Sequence, residues 1–90
     1  MPGKSFIALE SARDILDTET LFVLDELKRW FNVAVKVRGE DSTVDIVVDR
    51  ISPAIVYEYL SKLYPDRYGV GQYKAFTRLE TKLERTRWSS

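Results

Sequence analysis

The sequence predicts a small two-layer α+β domain. A β-hairpin, widened to three antiparallel strands by an N-terminal strand, packs against three helices in the order (β)-α-β-β-α-α. Three observations lead there. Apolar β-branched residues alternate with polar ones on both sides of a short turn at residues 39–42. Two capped segments, 17–31 and 52–64, carry apolar residues at helical spacing. The chain has 90 residues, the size of one small domain. Residues 1–90 are therefore read as a single unit, with 1–4 and 89–90 as frayed ends.

Residues 5–10, SFIALE, fit either a strand or, with the following SARDIL, a helix bearing Phe6, Leu9, Arg13 and Leu16 on one side; the strand is preferred because it widens an otherwise isolated hairpin. In 17–31, Asp17 or Thr18 can cap a helix, and Glu19 suits its positive end. Leu21, Leu24, Leu27 and Phe31 share one side, with Val23 and Trp30 beside them. Asp25 is expected to pair with Lys28 or Arg29.

Residues 33–51 form the hairpin. A four-residue loop, GEDS, pairs Arg38 with Thr43 and sets Val37 opposite Val44, Val35 opposite Ile46 and Val33 opposite Val48. All six apolar side chains then lie on one face, and Lys36 lies opposite Asp45 on the other.

Ser52 and Pro53 are a helix start, and Pro65 ends that helix. Val56, Tyr59, Leu60 and Leu63 make its buried stripe. Residues 65–71, PDRYGVG, read as a turn, and a terminal helix follows from about Gln72.

Composition excludes several chemistries. There is no Cys and no His, so disulfides, Cys/His metal sites and His or Cys catalysis are absent. No cofactor motif is present, and the chain reads as non-enzymatic. Asp45 and Asp49, with Asp41 and Lys36 near, are read as cross-strand pairing rather than a metal site. Single Met, Asn and Gln residues beside abundant Glu, Lys and Arg fit a thermophilic source. The apolar runs are short of the ~20 residues of a membrane span, and no secretory signal is evident, so a soluble cytoplasmic protein with no membrane partner is expected.

Net charge is zero, yet residues 1–58 hold seven Lys/Arg against eleven Asp/Glu, and 59–90 hold seven against three. On a terminal helix, Lys74, Arg78, Lys82 and Arg85 would fall within roughly 80° of one another. With Arg67 and Arg87 in support, this stripe is the expected contact to nucleic acid, DNA or RNA, through phosphates. The glycines of YGVGQ precede that helix. The surrounding order is similar to part of the KH RNA-binding arrangement, whose GXXG turn clamps a nucleic-acid backbone; here Gly69 and Gly71 are spaced G-x-G. The other expectation is a protein partner or homo-oligomer, met through Tyr57, Tyr64, Tyr68 and Trp88.

Overall fold

A computed structural model describes residues 5–90. The α+β class holds, with two α-helices and one six-stranded mixed sheet. The chain runs β1 (Ile7–Ala8), a one-turn 3₁₀ helix (Leu9–Ser11), α1 (Thr18–Phe31), β2 (Val35–Glu40), β3 (Thr43–Val48), α2 (Pro53–Leu63), β4 (Arg67–Gln72), β5 (Thr77–Glu84) and β6 (Thr86–Ser89). Strand order is β1-β2-β3-β5-β4-β6, antiparallel except for the parallel β4–β6 pair. Both helices lie on one face of the sheet. The core between the layers holds Val23, Leu24 and Leu27 of α1, Val56 and Leu60 of α2, and the inward residues of β2, β3, β4 and β5.

Local chemistry accounts for the helices. Asp17 caps α1, accepting from the Thr20 N–H at 2.9 Å, and Asn32 closes it with φ 57°. Ser52 caps α2 ahead of Pro53. The expected ion pairs on α1 are rearranged: Asp25 meets Arg13 at 2.6 Å, Arg29 meets Glu26 at 2.6 Å, and Lys28 meets Glu10. The N-terminal segment lies along α1 and brings the more distant partners.

The hairpin forms in a different register. Its turn is two residues, Asp41 and Ser42, so Glu40 pairs with Thr43, Val37 with Ile46, and Val35 with Val48. A shift of two positions preserves the faces, which is why the apolar pattern alone does not distinguish the two registers. Arg38, rather than Lys36, now faces Asp45. Gly39 permits the longer ladder: it sits at φ 134°, and a Cβ there would lie 2.3 Å from the Thr43 carbonyl oxygen. The turn is pinned by Asp41, whose N–H donates to the Ile15 carbonyl at 2.7 Å and whose carbonyl accepts from the Asp17 N–H at 3.0 Å.

The terminal helix is not formed; residues 67–89 make three strands instead. Thr77, Leu79 and Thr81 are buried, while Arg78, Glu80 and Lys82 alternate with them. Leu79 and Leu83 fit a helical stripe equally well, but two of the inward positions are threonines, which an apolar count overlooks. Both find partners: Thr77 Oγ1 donates to the Pro53 carbonyl at 2.9 Å, and the hydroxyls of Thr81 and Thr20 lie 3.0 Å apart. Strand β5 also covers the open edge that a lone hairpin would leave on β3.

The KH-like reading of YGVGQ falls with the helix. Gly69 and Gly71 lie within β4 on the face away from the helices, where Trp88 of β6 rests on them. At the C-terminal end Ser89 pairs with Gln72, and the Ser90 N–H donates to the Gln72 carbonyl at 2.8 Å. The fraying expected at 1–4 lies outside the described residues.

Candidate functional site

The basic residues of the expected stripe are dispersed by the strands. Arg78 points to the open sheet face, where its Nε donates to Asp45 at 2.7 Å; this bond raises its pKa further. Arg67, at the start of β4, pairs with Glu19 at 3.0 Å. Lys82 is exposed at the far end of β5, Lys74 lies in the β4–β5 turn, and Arg85 alone links β5 to β6. Arg87 is consumed internally. Its guanidinium donates to the carbonyls of Tyr68 at 2.6 Å, Tyr64 at 2.7 Å and Arg67 at 3.1 Å, and to Ser61 Oγ at 3.0 Å. It ties β6 to the end of α2, and burial lowers its pKa.

The four aromatics expected at an interface are also largely committed. Tyr68 is only 3% exposed, its hydroxyl donating to Glu19 at 2.8 Å. Tyr64 packs edge-on against it at 5.0 Å, and Tyr57 rests partly buried on the core. Tyr68 belongs to the core: at a register shift in β4, with φ 69° at Tyr68 itself, its side chain lies against Tyr64 and reaches Glu19.

On the open face the sheet brings together one lateral row: Arg38, Asp45, Arg78, Gly71 and Trp88, one residue from each of β2, β3, β5, β4 and β6. Asp45 is 6% exposed and accepts from both guanidiniums. Arg38 stacks on Phe6 at 4.4 Å and Phe76 at 5.1 Å; Arg78 lies 5.0 Å from the Tyr73 ring. Tyr73 and Phe76 stack at 4.6 Å, and the Trp88 indole N–H donates to the Tyr73 hydroxyl at 2.9 Å. Among the described residues, no group of three or more acidic side chains is placed to hold a metal ion.

The helix layer presents a second surface. Trp30 on α1 is 67% exposed and stacks on Tyr59 of α2 at 5.4 Å. Leu63, which lines the same groove, is 43% exposed; elsewhere on the two helices Phe22 is 57% exposed and Ile55 50%. Glu26, Trp30, Tyr59, Lys62 and Leu63 line an open groove between the two helices. Burial raises the Tyr59 pKa. This surface is readable only in part from the sequence: Phe22, Glu26 and Trp30 are spaced i, i+4, i+8, a second line on α1 outside its core stripe.

Among the described residues no helix is long and apolar enough to cross a membrane. The fold defines a small α+β domain with one helix-covered and one open sheet face. No family model, no curated protein and no solved structure matches the chain.

Proposed function

We propose that the chain is a non-enzymatic binding module that works by protein contact, as an interaction or assembly subunit, through the outer face of its helix layer. The observation that carries this reading is the 67% exposure of Trp30 at the groove, with a 57% exposed Phe22 about two turns back on the same helix. Large aromatics bury ~150–250 Å² each, so these two leave on the order of 250 Å² of apolar surface uncovered. Covering it is worth about 6 kcal/mol before the cost of association. Exposed aromatic patches with a charged rim mark interaction sites.

The absence of cysteine supplies the test. Glu26→Cys carries a photo-crosslinker into the groove, and Lys36→Cys carries it to the opposite face. Adducts identified from position 26 in an extract of the source cells, and absent from position 36, are expected. No adduct, or the same set from both positions, would count against protein contact at this face.

Nucleic-acid binding is the second reading, favoured by the arginines and rings on the open face, a combination suited to stacking single-stranded bases. Lys74, Lys82 and Arg85 are exposed and form no ion pair among the described residues, which leaves them open to phosphate. Fluorescence anisotropy with single-stranded RNA and duplex DNA at two salt concentrations tests it. Binding should fall steeply with salt and weaken when all three are changed to Ala. An affinity indifferent to both would remove the reading.

A further inference from the structure

We propose that the partner seated on the helix-layer groove is a second copy of the chain, related by a two-fold axis running along the groove. This rests on the protein-contact reading above. The groove has an apolar floor, Trp30, Tyr59 and Leu63, with one acidic side chain, Glu26, on one side and one basic side chain, Lys62, on the other. Glu26 stands on α1 and Lys62 on α2. Among the described residues, Glu26 meets only Arg29 of its own helix, and Lys62 is exposed and forms no ion pair.

A two-fold axis along the groove lays each copy's α1 over the other's α2. Lys62 of one copy then faces Glu26 of the other, and the pair occurs twice. An isologous contact requires a self-complementary surface, and an acid on α1 across the groove from an unpaired base on α2 meets that requirement. Two walls of like charge would repel their own copy and select an oppositely charged partner. An axis across the groove would set Glu26 against Glu26, so the charges also choose the axis. Within this contact Trp30 of each copy reaches Tyr59 and Leu63 of the other, which puts aromatic anchors at the centre and the ion pairs at the rim.

Sedimentation velocity over a concentration series tests it, with circular dichroism as the check on folding. The wild-type chain should approach twice its 10.5 kDa mass. Glu26→Lys alone and Lys62→Glu alone should each weaken self-association at least ~10-fold, since each creates two like-charge contacts. An equimolar mixture of the two variants should recover the dimer, because every 26-to-62 contact between unlike copies again joins a lysine to a glutamate. A monomer at every concentration would overturn the second-copy inference, while an adduct to a different protein from position 26 would leave the protein-contact reading standing. A dimer unmoved by both charge variants and by Trp30→Ser would place self-association on another surface and likewise overturn the second-copy inference. Failure of the mixture to recover would refute the two-fold arrangement.

Discussion

Gly71→Ala is predicted to destabilise the fold by about 2–3 kcal/mol, although alanine is ordinarily the better strand residue. A Cβ on Gly71 would lie 2.2 Å from Trp88 Cε2, 2.4 Å from Nε1 and 2.6 Å from Cζ2. Carbon atoms rest ~3.5–4.0 Å apart, so the indole must retreat by more than an ångström. It cannot slide along β4, because the space over Gly69 is already filled by Leu83 and by the far edge of the same ring. Retreat loses part of the ring's burial, about 1.5–3 kcal/mol, and the hydrogen bond to Tyr73, about 1 kcal/mol. Against this, Gly→Ala returns about 0.4–1 kcal/mol through the unfolded chain, since Gly71 has no left-handed φ to strain. Urea denaturation of Gly71→Ala, Trp88→Ala and the double variant decides the matter. In the Trp88→Ala background the second substitution should be neutral or stabilising by up to about 1 kcal/mol. If Gly71→Ala costs the same with and without the indole, the reasoning fails.

Tyr68 has its pKa pushed up to about 12, by burial first and then by its bond to Glu19. A raised tyrosine pKa favours the neutral folded form, so its contribution is complete below pH ~10 and is lost between ~10 and ~12. Tyr68→Phe should flatten the alkaline limb of the stability profile, followed by circular dichroism, while costing about 1–2 kcal/mol at neutral pH; an unchanged limb would assign the alkaline loss elsewhere. Asp45→Asn leaves Arg38 and Arg78 flanking a neutral amide and should cost about 2 kcal/mol, below the value for a fully buried pair because both arginines are about a third exposed. A cost near zero in chemical denaturation would mean that solvent already satisfies the guanidiniums. Arg87→Lys keeps the charge but not the fork that reaches three carbonyls, and should raise amide exchange selectively in β6; uniform exchange would rule out the clamp.

The first two-thirds of the fold is legible in the sequence because its signals are local. The caps at Asp17 and Ser52, the proline at position 53 and the valine alternation of 33–48 each act within a few residues. The last third is not, because its evidence is tertiary. Gly69 and Gly71 mean a turn when read alone; they mean a strand only once Trp88 is known to lie across them. Thr77 and Thr81 look polar until Pro53 and Thr20 supply their partners. The basic stripe fails for the same reason. Side chains spaced by four on a helix become neighbours, whereas on β5 the even-numbered residues share a face only until the register shifts beyond Glu80. Of the candidate residues, Arg78 and Trp88 share the lateral row of the open face, while Tyr64, Arg67, Tyr68 and Arg87 meet at the end of α2. The most exposed aromatic, Trp30, falls by periodicity beside the core stripe of α1, and only the placement of α2 shows that nothing covers it.

The two surfaces differ in how far their own chain completes them. On the open sheet face each ring has a neighbour, and the two arginines divide the oxygens of one carboxylate. That cluster already does what a second, minor core does: it covers the glycines and holds β6, an edge strand of four residues with pairing on one side only. A ligand arriving there must displace contacts before making new ones. On the helix face the stacking of Trp30 on Tyr59 leaves two-thirds of the indole in water, and Phe22 stands beyond it in the same line. A domain of this size has little apolar surface to spare. Leaving one of its two tryptophans outside, between an acidic and a basic side chain, makes physical sense when that tryptophan is half of a contact. This asymmetry is what weighs protein contact above phosphate as the work of the fold.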